Sequence, residues 1–474
     1  MVSHVLYGSI LLFLRGCAID DTFFCRKKIR FEGIEKKFYC LEEVNVVESN
    51  AILAVVIFIA AYTLIVSETI HRTVVALTGA VLILLLDVLN QEAALRYIDF
   101  NTIGLLIGMM IIVNITSETG IFNYLAIWSA KKVKGEPFKV LVALSLLTAI
   151  CSAFLDNVTT VLLTVPVTFS ITSQLKVSPK PFLIAQILSA NIGGTATLIG
   201  DPPNIMIGSA VPELDFMTFL SNLTLICIVI EFVTLAILRI VYRQSLHTTD
   251  ELKEKIMAMR EENQIVNMPL LKKCLAVLAL TMMLFLVHSL LHIETATAAL
   301  TGASFLMAIT IARDEAMLTK VFCKVEWLAI FFFIGLFILV GALVETGVVG
   351  QIAAGMMQLT QGNVTFTAML ILWMSAIASA FIDNIPFVAT MIPMIREMSV
   401  LGFDNLEPLW WALSLGACLG GNGTLIGASA NIIVAGMAEQ RGYHLSFIRY
   451  MMICFPLMLL SIVLSSIYIY IRYL

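Results

Sequence analysis

Charge is what this sequence has least of. Asp, Glu, Lys and Arg make up 13% of its 474 residues against 59% apolar ones, about half the charged share of an ordinary soluble domain. A net charge of −4 offers no basic surface for nucleic acid. Histidine is scarce, at six, and with no Cys-x-x-Cys spacing the chain has no signature of a resident metal. Nine cysteines do not make a disulfide framework either. Cys151, Cys227, Cys418 and Cys454 stand in apolar runs, where a thiol behaves as a small hydrophobe. The run from Val5 to Leu14 is too short to span a bilayer and lacks the basic start and small-residue cleavage site of a secretory signal. What is left is an all-α polytopic membrane protein, a multi-pass chain whose first partner is the lipid bilayer.

Apolar stretches long enough to cross occupy roughly 51–69, 72–89, 101–119, 216–243, 271–291, 294–312, 327–345 and 447–472. Two others, 181–210 and 408–437, are interrupted by Gly200-Asp201-Pro202-Pro203-Asn204 and Gly427-Ala428-Ser429-Ala430-Asn431. Proline removes a backbone donor and glycine weakens a helix, so each is expected to be two half-helices joined by unwound backbone. Irregular backbone at that depth must line a cavity. Before each broken helix come two short legs, 138–153 and 158–175, then 365–380 and 385–396. Their length favours re-entrant hairpins over full crossings.

The chain is written twice. Ser152-Ala-Phe-Leu-Asp156-Asn157-Val recurs as Ser379-Ala-Phe-Ile-Asp383-Asn384-Ile, and Gly193-Gly-Thr-Ala-Thr-Leu-Ile-Gly200 recurs as Gly420-Gly-Asn-Gly-Thr-Leu-Ile-Gly427. The offset is 227 (383 − 156), and it also relates Glu118 to Glu345, Pro166 to Pro393 and Asn204 to Asn431. Two repeats follow, 51–243 (hairpin 138–175, broken helix 181–210) and 271–474 (hairpin 365–396, broken helix 408–437). A linker, 244–270, joins them. Residues 1–50 form a divergent or truncated amino-terminal segment, whose basic stretch Arg26–Arg30 with Lys36 and Lys37 goes against the charge bias of the rest.

Each repeat has five full crossings, three scaffold helices, a broken helix and a final helix, so the second must be inverted. Loop charge agrees. Lys131, Lys132, Lys134, Lys253, Lys255, Lys272 and Lys273 fall on one side, while the other has Arg96, Arg396 and Arg472. The positive-inside rule makes the first side, with the linker, cytoplasmic.

Within this frame, Asp156 and Asp383 at the hairpin turns are the first candidates for function, because a carboxylate at the bilayer centre costs about 2.5–3.5 kcal/mol. Each is a candidate to carry a proton or to help hold Na⁺, and the hairpin tips are the one place where a metal ion is expected. The plainer role for either is capping the second leg. Asn157 and Asn384 add a donor and an acceptor each, and Thr159 and Thr160 add hydroxyls to the first turn. Gly193, Gly194, Gly420 and Gly421 permit close backbone approach, to a ligand or to another helix. Thr195, Thr197, Asp201, Asn204, Asn422, Thr424, Ser429 and Asn431 supply a polar lining. Gly200, Pro202, Pro203 and Gly427 mark the hinges. Asp201-Pro202-Pro203 against Ala428-Ser429-Ala430 makes the site asymmetric. No basic side chain falls near its midplane. Glu118 and Glu345, at the ends of the third helices, read as solvated or capping groups.

The pattern Gly193-Gly-x-x-Thr-x-Ile-Gly-x-Pro-Pro-Asn204, with Ser117-Glu-Thr-Gly120, Ile382–Pro393 and Gly416–Asn431, resembles the ion transporter superfamily of citrate and other divalent-anion carriers, arsenite efflux proteins and sodium/proton antiporters. Within it the chain is similar to the P protein group of pigment organelles, over 51–474. The resemblance implies three scaffold helices per repeat, a mobile unit of hairpin plus broken helix, an elevator motion and a homodimer. It also implies an anion pathway, chloride foremost, that sets lumenal pH for pigment synthesis in an organelle membrane of melanosome or endolysosome type. Dicarboxylate carriers of the superfamily present Ser-Asn-Thr at the tips, whereas this chain has Asp156-Asn157-Val158 and Asp383-Asn384-Ile385. An acid there disfavours a dianion unless protons or cations enter with it. The first 50 residues are shorter than that group's long extension, so its trafficking signals do not transfer, and a plasma-membrane location stays open.

The expectation is therefore a secondary transporter of a small anion, chloride or carboxylate-like, coupled to H⁺ or Na⁺, with no cofactor and no enzymatic activity. An anion channel on the same scaffold is the alternative. An intramembrane aspartyl protease is remote, since such enzymes pair Tyr-Asp with Gly-x-Gly-Asp and the aspartates here follow Phe-Leu and Phe-Ile.

Overall fold

In the computed structural model the regular structure is helical throughout the described residues, 34–67, 69–243, 246–403 and 405–474. The helices are α1 (Ile34–Ser67), of which the part from residue 51 belongs to the first repeat, then α2 (Arg72–Leu85), α3 (Gln91–Tyr97), α4 (Phe100–Ser117), α5 (Ile121–Lys132), α6 (Pro137–Phe154), α7 (Asn157–Leu175), α8 (Lys180–Thr195), α9 (Pro202–Ala210) and α10 (Phe216–Tyr242). After linker helix α11 (Asp250–Met257) come α12 (Met268–Leu291), α13 (Thr295–Thr310), α14 (Glu315–Cys323), α15 (Trp327–Glu345), α16 (Val348–Thr360), α17 (Val364–Phe381), α18 (Asn384–Val400), α19 (Glu407–Gly420), α20 (Ser429–Gln440) and α21 (Phe447–Tyr473). Met1–Ser49 and Asn50–Leu474 form two units, and every feature discussed below lies in the second. The apolar run Val5 to Leu14 and the Arg26–Arg30 stretch lie outside the described residues.

The 227-residue offset carries over to the elements. Six consecutive helices of the first repeat, α4 to α9, begin at positions 100, 121, 137, 157, 180 and 202, and α15 to α20 begin at 327, 348, 364, 384, 407 and 429. The turns match too. Gly120 and Gly347, before α5 and α16, both adopt positive φ (80° and 76°), a conformation that glycine enters without a Cβ penalty. Packing between the halves is reciprocal: α2 lies on α15 and α4 on α13, while α9 meets α18 and α20 meets α7. In each of these contacts between an element of one repeat and an element of the other, their two mates touch as well, as a two-fold relation between the repeats requires.

Nine helices, counting the part of α1 from Ser49 to Ser67, are long and apolar enough to cross a membrane among the described residues. Two of the stretches read as crossings are shorter than their apolar runs. The 72–89 run forms a helix only to Leu85, because Asp87 takes a left-handed conformation (φ 55°). The 294–312 run gives the 16 residues of α13. The hairpin legs depart the other way, at 18, 19, 18 and 17 residues, because Pro137 opens α6 and α18 runs on to Val400.

Glu118, expected to be solvated or capping, stands at the C-cap of α4 and is ion-paired as well. Lys320 Nζ donates to its Oε2 at 2.5 Å and Lys324 donates to Oε1, which ties α4 to the second repeat. Burial would raise this carboxyl, but the two lysines outweigh that and hold it below the usual range. Glu345 accepts from the Tyr97 hydroxyl at 2.7 Å. The linker is anchored as well, with Lys131 Nζ donating to Met259 O at 2.9 Å and pairing with Glu261.

Candidate functional site

Each broken helix is clamped onto the first leg of its own hairpin, twice over by the same chemistry. Ser152 Oγ donates to Ala190 O (2.6 Å) and Ser379 Oγ to Ala417 O (2.5 Å). Thr197 Oγ1 donates to Ala153 O, and its mate Thr424 to Ala380 O. Gly193 and Gly420 let the backbones close up, since a Cβ on either would lie 2.2 Å from Ala149 O or 2.6 Å from Ala376 O. Gly194 and Gly421 face Gly200 O and Gly427 O in the same way. These four glycines meet protein backbone.

The breaks fall earlier than the proline and serine motifs suggested, at residues 196–201 and 421–428. Pro202 and Pro203 sit in the first turn of α9, where a missing N–H costs nothing and the fixed φ suits a helix. Unwinding leaves carbonyls without helical donors, and one asparagine in each copy supplies them. Asn204 Nδ2 donates to Thr195 O (3.1 Å) and Thr197 O (2.9 Å), and Asn431 Nδ2 to Gly421 O (2.8 Å) and Thr424 O (2.9 Å). Thr195 Oγ1 turns back to Asn191 O at 2.6 Å. Asn204, Asn431, Thr195, Thr197 and Thr424 therefore hold the breaks in shape.

The two hairpin tips differ where they meet these breaks. At the first, Asp156 caps α7, accepting from Thr159 N at 2.8 Å, and Asn157 Nδ2 donates to Asn191 Oδ1 at 3.1 Å. Asn191 passes both its own hydrogens across to the other repeat, to Asn422 Oδ1 (2.9 Å) and Asn431 Oδ1 (3.0 Å). Thr160 Oγ1 is buried without a partner. At the second tip, Asp383 holds the capping position of α18 but makes no capping bond. It accepts instead from Ser429 Oγ (3.1 Å) and from the Arg72 guanidinium, while its other oxygen is buried without a hydrogen bond. Asn384 Nδ2 faces both oxygens of Asp201, at 3.4 and 3.3 Å.

A pocket of 30 Å³ lies between the tips, lined by Asp156, Asn157, Asp201, Asn384, Ser429 and Arg72 among others, enough for one or two waters or a monatomic ion. Next to it opens a cavity of 690 Å³ that shares Arg72, Glu326 and Ser429 with the pocket and reaches Asp383. Of the residues singled out in the sequence, the pocket gathers Asp156, Asn157, Asp201, Pro202, Asn384 and Ser429. The four glycines and the break-holding Asn and Thr residues stand behind it as support. Arg72 overturns the expectation that no basic side chain comes near. It opens α2, 311 positions from Asp383, and only the packing of α2 on α15 brings it in. Sequence reasoning also passed over Asn191, two residues before the glycine motif that carried the resemblance, and Glu326, whose repeat mate is Asp99.

A second cavity, of 510 Å³, occupies the mate position: Arg96, Ile98, Asp99 and Phe100 line it where Cys323, Val325, Glu326 and Trp327 line the first. It reaches neither tip. Arg396, an exposed residue whose Nη2 donates to Ala210 O, is among its lining.

Two inverted-looking hairpins that meet two broken helices around a polar pocket are the features that comparison with known proteins must explain. The citrate transporter family matches residues 62–416. The chain belongs to that family. Its relatives include an uncharacterized transporter of Mycobacterium tuberculosis, 42% identical over 430 residues, covering 89% of this chain and 99% of that protein, and the P protein of Homo sapiens, 35% identical over 506 residues. The chain spans 60% of that P protein's length, with 89% of its own residues aligned. Among solved structures the YdaH transporter of Alcanivorax borkumensis has the same overall fold, with a TM-score of 0.54 at 13% identity over 80% of this chain and 86% of that one. The family match takes in both hairpin tips and the first break. This is a multi-pass membrane transporter, and the family relationship agrees with a role in transport rather than catalysis.

Proposed function

We propose that the protein is a secondary active transporter of a small anion, chloride or carboxylate-like, coupled to H⁺ or Na⁺, working by alternating access between inverted repeats. The observation that carries this reading is the inequality of the two mate cavities. One opens onto the site at Asp383 and Ser429, and the other ends short of both tips. A site open to one side only, built on two-fold related halves, is what a carrier needs in one of its two end states. A channel needs both vestibules joined at once, and the pocket between the tips measures 30 Å³.

The burial of both tips against the breaks supports re-entrant hairpins, since a leg that crossed fully would end in water. By the charge distribution, the open cavity faces the cytoplasm. The likeness to the P proteins supports an organelle membrane and control of lumenal pH, with melanin synthesis as the process served in a pigment cell. A homodimer fits the same relationship. The test is flux in proteoliposomes under imposed H⁺ and Na⁺ gradients, with lumenal pH and chloride read together. Saturable anion uptake that follows one of the gradients supports the carrier; a linear, voltage-driven current indifferent to both favours the channel.

A further inference from the structure

We infer that Arg72 is the anion-binding group of this site, that Asp383 fills its place while the site is empty, and that each monovalent anion bound at Arg72 sends one proton onto Asp383. The inference rests on the anion-transport reading above and adds the residue, the charge of the substrate and the origin of coupling.

Three observations lead to it. Among the described residues Arg72 is the single guanidinium lining the two adjoining cavities, and its side chain, 26% exposed, is reachable while that of Asp383 is 8% exposed. Its charge is placed once: the repeat mate of Arg72 is Ala299, fully buried. Secondly, Arg72 Nη1 meets Asp383 Oδ2, and the guanidinium carbon stands 5.1 Å from the centroid of the Phe332 ring. That ring fixes the plane of a fork whose donors match a carboxylate or sit around a halide. Thirdly, Asp383 has given up the capping bond that its mate Asp156 makes, and its Oδ1 has no hydrogen-bond partner in a buried position. A carboxylate held chiefly by one guanidinium is a stand-in that another anion can replace.

The charge balance then sets the coupling. With the site empty, Arg72⁺ is the counter-charge in contact with Asp383⁻, and its field also reaches Glu326. When an anion takes the guanidinium, Asp383 loses its counter-charge in a buried place, and an uncompensated buried carboxylate is costly enough to be neutralised by a proton. Anion and proton arrive together, the proton on the carboxylate and the anion on the guanidinium, with no net charge added. The other titratable groups lining the two cavities are His71, Cys323, Glu326, Asp156 and Asp201. With one guanidinium and no second fixed positive charge among the described lining residues, the site suits a single negative charge better than a dianion.

The experiment is uptake of radiolabelled chloride and, separately, of acetate by the full chain in proteoliposomes, with lumenal pH recorded. Wild type is run beside Arg72→Gln, Arg72→Lys and Asp383→Asn, each first shown monodisperse with a wild-type melting temperature. The expected pattern is uptake driven by a pH gradient in the wild type, and a loss of about tenfold or more in Arg72→Gln, the weight of a charge-assisted hydrogen bond. Arg72→Lys restores chloride better than acetate, because a point charge lacks the fork. Asp383→Asn still takes up anion, now driven by membrane potential and without proton movement. Uptake in Arg72→Gln at the wild-type KM, or Asp383→Asn uptake still driven by pH, overturns the inference and leaves the transport reading standing. A wild type that moves neither probe under any gradient overturns both.

Discussion

Asn191 is bound to Asn431 across the repeat boundary, its Nδ2 standing 3.0 Å from the other side chain's Oδ1. The same amide reaches Asn422 at 2.9 Å, and its oxygen receives Asn157 at 3.1 Å. One fully buried side chain thus joins the first hairpin tip, its own broken helix and the break of the other repeat. Its repeat mate is Cys418, so the bridge exists once.

Replacing Asn191 by Ala leaves Asn157, Asn422 and Asn431 each short of a partner in a buried place. At about 1–3 kcal/mol for a group stranded in this way, the expected loss is about 3 kcal/mol or more, read as a lowered midpoint in thermal unfolding of the purified protein. An unchanged midpoint would mean that the tip and the breaks do not depend on one another.

Glycine positions divide by what surrounds them. Gly193→Ala and Gly420→Ala drive a methyl into the backbone at Ala149 and Ala376 and should lower the melting temperature and abolish uptake together. Gly436→Ala, inside α20 and with nothing within 4 Å of the added carbon, should stabilise by about 0.5–1 kcal/mol, the usual preference for alanine within a helix. Melting curves of the three variants side by side separate close packing from glycine in general.

Much of this was legible in the sequence because the chain carries its own comparison. A motif repeated at a fixed offset exposes what both copies need: the tip acids, the clamping Ser152 and Ser379, and the break-holding Asn204 and Asn431. Duplication is silent about a residue present once. Arg72 looks like the start of an apolar helix, and its meeting with Asp383 is made by the packing of α2 on α15. Glycine ambiguity had a different cause, since a position that lets backbone approach a ligand and one that lets backbone approach backbone have the same residue type and spacing. The 72–89 span was overread for a third reason: hydropathy does not see the left-handed turn at Asp87.

Glu118 gives a pH dependence with a definite sign. Its carboxyl is held below the ordinary range by Lys320 and Lys324, so the unfolded chain takes up the proton first. The stabilisation is fully present above the unfolded carboxylate value, about 4.3, and is lost as pH falls through the folded value. Both lysines are about half exposed to solvent, which limits the effect to about 1 kcal/mol. Glu118→Gln should melt below wild type at pH 7 in low salt, with the gap closing on acidification; a gap that widens toward acid would contradict the pairing.

Whether the site opens to one side at a time can be read from Ser429, which lines both the pocket and the open cavity. The measurement is labelling of Ser429→Cys, in a Cys323→Ser background, by a membrane-impermeant thiol reagent applied to one face or the other of oriented vesicles. Alternating access predicts labelling from the cytoplasmic face at rest, and from the opposite face only when anion and coupling gradient are supplied. Labelling from both faces at rest would contradict the account and describe a channel.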